Sequence, residues 1–201
     1  MSMHIDGKKV TAMYWGGLKI REAWYGGQRV FSGKPVEVMP PTPGGYDAQD
    51  WLQAKLTEYG EDYRKVEEIP FEIDTSQVTN MVDMFDGCSS LIAVPPMDTS
   101  QVTNMYGMFS RCSSLTTVPD MDTSQVTNMA AMFSRCSSLT TVPDMDTRNV
   151  TLMYDMFRNC SSLTDGNVRL IGKRTGVDTA RMIQNSGLTR EPFYDINGQP
   201  I

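Results

Sequence analysis

The sequence predicts an α/β fold. It reads as a right-handed repeat solenoid with short parallel strands on the concave face and helices on the convex face, preceded by a small N-terminal β-meander. Three observations carry this. A 24-residue motif recurs without a slip, a ten-residue motif fills the first 34 residues, and a Pro/Gly stretch separates the two.

Composition narrows the function classes. The 201 residues are 40% hydrophobic and 21% charged, with a net charge of −6. No apolar run approaches the ~20 residues that span a bilayer, so membrane insertion is not expected. The start, Met1-Ser2-Met3-His4, shows no basic segment followed by an apolar one, so no Sec-type signal is expected in this chain. The negative balance argues against nucleic acid, which calls for a basic face. A single histidine, His4, removes most Ser-His-Asp, Cys-His and His-metal sites. Charge also divides the chain. Residues 1–34 carry six Lys/Arg against two Asp/Glu, residues 35–70 three against eight, residues 71–165 four against eleven, and residues 166–201 five against three.

Residues 1–34 repeat every ten residues, as Ile5-Asp6-Gly7-Lys8, Trp15-Gly16-Gly17-Leu18 and Tyr25-Gly26-Gly27-Gln28. Asp-Gly and Gly-Gly tolerate positive φ and favour two-residue hairpin turns, so a meander with three hairpin turns is expected. Such a small sheet is near the minimum for independent stability and should pack on something else. Its aromatics Tyr14, Trp15, Trp24 and Tyr25 invite sugar stacking. Strand packing, including an interface to another subunit, explains them more simply. They are the candidate anchor or assembly residues. The tail, residues 196–201, echoes this unit. Residues 35–46, rich in Pro and Gly, read as a linker. Residues 47–70 read as a helical cap, with Trp51, Leu52, Leu56, Tyr59 and Tyr63 on one face and a break near Gly60.

Residues 71–165 hold four repeats. Asp98-Thr99-Ser100 supplies N-cap residue types. Val102, Met105, Met108, Phe109 and Cys112 then fall on one face of a helix of about three turns. Ser113-Ser114 breaks it, and Leu115-Thr116-Thr117-Val118 reads as a short strand ended by Pro119. One unit cannot bury its apolar face alone, but stacked units form a continuous core. Strands of adjacent units would lie ~4.8 Å apart and packed helices ~8–10 Å apart. The helical side must therefore splay, which is leucine-rich-repeat architecture. Residues 166–201 read as a degenerate fifth unit, with Met182-Ile183 in place of Met-Phe, and a C-terminal cap.

The unit Asp-Thr-Ser-x-Val-Thr-Asn-Met-x-x-Met-Phe-x-x-Cys-Ser-Ser-Leu-Thr-x-Val-Pro resembles that of the BspA-like leucine-rich-repeat surface proteins over about residues 71–165. That resemblance implies a cell-surface adhesin, a lipoprotein or a phage- or prophage-encoded protein, with no catalytic residues to transfer.

Several features invite chemistry and read more simply as structure. Cys88, Cys112, Cys136 and Cys160 occupy one repeat position. At the helix spacing they would lie beyond the ~7 Å Cα reach of a disulfide, so buried free thiols are expected. Neither a CxxC pair nor a histidine partner supports zinc. Asp120-Met121-Asp122-Thr123-Ser124 resembles the start of a calcium loop, but Gln125 and Ala131 stand where it needs Gly and Glu. No cofactor or metal is expected. Asn80, Asn104 and Asn128 read as a ladder satisfying backbone groups, ending at Leu152.

Binding residues are sought where exposed positions vary between repeats. The candidate ligand surface is Thr117, Asp120, Thr141 and Asp144 on the strand side, with Tyr106 and Tyr154 on the helix. The expected function is a non-enzymatic binding or adhesion module for a host or partner surface, protein or glycan, within a phage tail or other surface assembly. Its partners would be a host-cell surface protein or glycan and, through residues 1–34, virion or assembly proteins; self-association is a further option. The rival reading is a purely structural virion or scaffold component. The location that follows is a virion or extracellular surface assembly, or the cytoplasm if neither holds.

Overall fold

The computed structural model describes residues 34–41, 48–173 and 175–201, and before them the backbone of six short strands. These are β1 (His4–Ile5), β2 (Lys8–Lys9), β3 (Met13–Trp15), β4 (Leu18–Ile20), β5 (Ala23–Tyr25) and β6 (Gln28–Phe31). They pair antiparallel as three hairpins. They do not make one meander. The pairs β1–β2 and β5–β6 are separate two-stranded sheets, and the edge of β4 that β5 would need is taken by β7 (Val36–Val38).

Over residues 35–41 that strand corrects the reading of residues 35–46 as a linker; residues 42–46 lie outside the described residues. β7 pairs in parallel with β8 (Glu72–Asp74), and Met39 N–H donates to Asp74 O at 2.9 Å. Glu37 in its centre is buried. Its carboxylate accepts from the Tyr59 hydroxyl at 2.8 Å and lies 3.3 Å from Lys55 Nζ. The prolines on either side remove donors only at their own positions, and Val-Glu-Val between them is free to pair.

Helix α1 (Ala48–Glu58) covers the first repeat. Trp51, Leu52 and Leu56 are buried, and Trp51 meets Phe71 edge-on at 6.4 Å. Gly60, at φ 77°, ends the helix. Gly60 N–H bonds Thr57 O at 3.0 Å and Glu61 N–H bonds Leu56 O at 2.9 Å, the paired bonds of a Schellman motif.

In the repeats the apolar positions face inward as the spacing requires. Val102, Met105, Met108, Phe109, Cys112 and Leu115, and their equivalents one repeat away on either side, are fully buried. The backbone beneath them is not helical, and α1 is the sole helix among the described residues. Each repeat is instead a chain of tight turns. Met108 N–H bonds Met105 O, Ser110 bonds Gly107, and Cys112 bonds Phe109, all three residues back. The N–H groups between them point to the next repeat: Met105 to Asn128 O, Gly107 to Ala130 O, Phe109 to Met132 O and Arg111 to Ser134 O, at 2.7–3.0 Å. The rows repeat from residue 81 to residue 159. Phe85, Phe109, Phe133 and Phe157 stack with centroids 5.4, 5.5 and 5.7 Å apart. Helices need ~8–10 Å, so this spacing excludes them and removes the expected splay. Sequence separation of three suits a turn as well as a helix, which is why the pattern misleads.

The turns require left-handed residues at two positions per repeat. Asp83, Gly107, Ala131, Asp155 and Arg181 occupy the first, and Gly87, Arg111, Arg135, Asn159 and Asn185 the second, all at φ 53–79°. An alanine has no side chain able to offset that strain. Ala131→Gly should therefore raise stability by ~1 kcal/mol in a urea titration; a loss would show that Ala131 is not strained.

The strands are also displaced from their expected place. Leu115–Val118 and its equivalents form none. Strand pairing is also absent after Pro96 and Pro119. It appears at β8 and at β9 (Met145–Asp146), β10 (Leu170–Ile171) and β11 (Phe193–Tyr194), the last three forming one parallel sheet. The tail closes it: Tyr194 bridges Pro200 antiparallel, and Ile201 N–H bonds Phe193 O.

Most polar residues of the motif are spent inside the stack. Asp74, Asp98, Asp122 and Asp146 each accept from the N–H two residues on, capping a turn rather than a helix. Asn80, Asn104 and Asn128 do the same, Leu152 interrupts the series, and Asp178 resumes it. Buried Thr75, Thr99 and Thr123 donate to the following repeat at Asp98 O, Asp122 O and Asp146 O.

Candidate functional site: the variable turn face

What the motif does not specify lies on the outer side of the turns. The position of Tyr106 holds Val82, Ala130, Tyr154 and Ala180 in the other repeats, and the next holds Asp83, Gly107, Ala131, Asp155 and Arg181. Two further variable positions, Asp86/Ser110/Ser134/Arg158 and Gly87/Arg111/Arg135/Asn159, complete the face.

A hollow of about 330 Å³ lies there, lined by Asp83, Asp86, Tyr106, Gly107, Ser110, Arg111, Ala131 and Arg135. Small residues make its floor. A Cβ on Gly107 would sit 2.0 Å from Asp83 Oδ1, so the glycine admits the carboxylate. Arg111 grips Asp86 with two bonds, Nε to Oδ1 at 2.9 Å and Nη2 to Oδ2. Asp86 thereby holds the Arg111 guanidinium above its ordinary range, with a lesser effect from Asp83. Arg135 stands one repeat on, where the residue equivalent to Asp86 is Ser110. Among the described residues it forms no ion pair. At the far end Arg181 holds Asp155 at 2.9 and 2.8 Å. Tyr106 and Tyr154, both half-buried, flank the fully buried Ala130. Burial first, and then Tyr154 and the neighbouring carboxylates, raise the Tyr106 phenol. The face thus offers aromatic edges, a carboxylate pair and an unneutralised guanidinium around a shallow floor.

Of the candidates named from the sequence, Tyr106 lines this hollow and Tyr154 lies two repeats along the same row. Thr117, Asp120, Thr141 and Asp144 are exposed on the other segment of the repeat and outside it. Thr141 donates to Asn167 O at 3.3 Å, and Asp144 is 3.1 Å from Arg169 Nη1. Tyr14, Trp15, Trp24 and Tyr25 fall on β3 and β5, where side chains lie outside the described residues. Sequence reasoning picked out the variable pair Val82-Asp83 but missed Asp86, Arg111 and Arg135. The signal was present in the variation at positions 86/110/134 and 87/111/135.

The cysteines are free and buried. Cys112, Cys136 and Cys160 donate to Phe85 O, Phe109 O and Phe133 O at 2.9–3.0 Å. Burial pushes the Cys88 and Cys160 thiols up to about 12 and those of Cys112 and Cys136 well above the ordinary value. The fold prefers the neutral thiol. Stability from this source is full below the unfolded thiol pKa, ~8.5, and is lost as pH rises toward the folded value. The melting temperature should hold from pH 7 to 8.5 and then fall. A Cys136→Ala variant should fall less, and equal alkaline slopes would refute the assignment.

A family model described as "Mycoplasma protein of unknown function, DUF285" matches residues 55–170. The chain belongs to this family. The DUF285 match runs from the end of α1 to β10 and so takes in all four regular repeats, with the hollow among them. No curated protein and no solved structure matches the chain. Among the described residues of this DUF285 chain, no group of three or more His, Cys, Asp or Glu is placed to hold a metal ion. No helix there is long and apolar enough to cross a membrane.

Proposed function

We propose that this DUF285 chain is a non-enzymatic binding module of the BspA-like leucine-rich-repeat kind. Its stacked repeats form a solenoid, and the turn face recognises a protein or glycan on a host or partner surface. The N-terminal hairpins would hold it in a larger assembly such as a phage tail. One observation carries the reading. The side chains that the repeats share are taken up by the core or by hydrogen bonds between repeats. On the turn face the residues that differ gather around a hollow with Tyr106 and the uncompensated Arg135. Packing does not dictate them, and exposed aromatic and Arg side chains are the usual anchors of binding surfaces.

The test is binding of the full chain to cell panels and to glycan and protein arrays, beside a Tyr106→Ala/Arg135→Ala double variant. The expected result is saturable binding by the parent chain, weakened at least tenfold in the variant at equal melting temperature. Absence of any binding, or binding indifferent to both changes, would favour the structural-component reading.

A further inference from the structure

We propose that the open end of the fifth repeat is a docking surface for another polypeptide carrying the same 24-residue repeat, which would stack there as a sixth. The two ends of the stack are finished differently. At the first repeat, Met84 O accepts from the Tyr63 hydroxyl at 3.0 Å, and Asp86 O accepts from Tyr63 and from Gln49 Nε2 at 3.1 and 3.0 Å. These are two of the four carbonyls in the row that would have received a preceding repeat. At the fifth repeat, Met182 and Gln184 turn their N–H groups inward to Thr179 O and Arg181 O. Those of Arg181, Ile183 and Asn185 occupy the places from which every earlier repeat donates onward, and among the described residues they have no acceptor. A hollow of about 410 Å³ lies beside the first two, with Arg181, Met182, half-buried Ile183 and Glu191 in its lining. The strand edge at this same end is closed by the tail, so the opening is confined to the turn side. Ile196 and Ile201, in that tail, are 77% and 63% exposed.

Hydrogen-bond direction selects the occupant. An extended strand offers donors and acceptors alternately along one edge, and so mismatches a row of donors. A second copy meeting end to end would set N–H against N–H. A second copy meeting head to tail would present Met84 O and Asp86 O, the partners that Ile183 and Asn185 would need, already taken by Tyr63 and Gln49. A repeat of the same kind with bare carbonyls fits, because four successive junctions in this chain are made that way. The surface is separate from the turn-face hollow, so either proposal can fail alone.

The experiment titrates the full chain with a synthetic two-repeat peptide of residues 98–145. Binding is read by fluorescence anisotropy and amide hydrogen exchange. The expected result is saturable binding, with exchange at Arg181, Ile183 and Asn185 slowed at least tenfold. Ile183→Asp should weaken binding tenfold or more. Because Ile183 touches the core, Gln184→Trp, an exposed position in the hollow, serves as a second block. No binding overturns the proposal, as does protection elsewhere. Concentration-dependent self-association that protects these same amides in the free chain also overturns it, since a second copy would then be the occupant.

Discussion

Phe133→Ala is expected to destabilise the protein by ~3–5 kcal/mol, the usual range for a fully buried phenylalanine. Phe133 lies between Phe109 and Phe157 at 5.5 and 5.7 Å, with rings within 7° of parallel. Its removal leaves a ring-sized void and ends two stacking contacts, each worth ~0.5–1.5 kcal/mol beyond area burial. Phe157 has a ring on one side only, so Phe157→Ala should cost less by about one such contact. Urea titrations of the two variants with the parent decide this. A loss below about 1 kcal/mol for Phe133→Ala would mean that the stacked rings are not the axis of the core.

Gly187→Ala is expected to cost ~3 kcal/mol and to act on one end only. An added Cβ would lie 1.9 Å from Leu163 O and 3.0 Å from Ser161 O. A side chain in the way could rotate aside, but a carbonyl of the neighbouring repeat cannot, so the backbone of the last repeat must lift away. Gly187 N–H, which bonds Cys160 O at 3.2 Å, would be lost with it. Because each repeat touches only its neighbours, residues 176–201 should unfold ahead of the rest, visible as an early phase in hydrogen exchange. A variant that melts with the parent in a single phase would show that the approach is looser than it looks.

The period, the inward residues and the cap were legible because they depend on side-chain chemistry repeated at a fixed interval. Val102, Met105, Met108, Phe109, Cys112 and Leu115 are apolar in each of the four regular repeats, and any backbone that stacks the repeats must turn them inward. The backbone conformation was not legible from the same letters. Only two of the ten left-handed positions in the five repeats are glycine, so the turns lack their usual mark and Arg111, Ala131 and Arg135 read as helix formers. What forbids a helix is the distance to the next repeat, which no single repeat states. β7 was hidden by its prolines. Tyr106 and Tyr154 stood out as exposed aromatics. The hollow beside Tyr106 depends on Asp83 bending over Gly107, and on Arg135 having lost the aspartate that Arg111 keeps. Both are relations between repeats rather than properties of one.

The four rows of hydrogen bonds that join the turn sides of the repeats run the same way, and that has an electrical consequence. In the peptide groups Asn104–Met105, Tyr106–Gly107, Met108–Phe109 and Ser110–Arg111, the carbonyl points to the preceding repeat and the N–H to the following one. Peptide dipoles aligned head to tail reinforce one another; in an α-helix they amount to about half a charge at each end. Here the alignment runs across the chain, through five layers of it. The turn side is therefore polarised along the stack, positive at the fifth repeat and negative beneath α1, while the oppositely directed row through Thr79, Thr103, Thr127 and Thr151 works against it. Asp83 and Asp86 lie at the end that the turn rows disfavour, which gives the Arg111 guanidinium a second task besides binding Asp86: offsetting the negative pole of those rows.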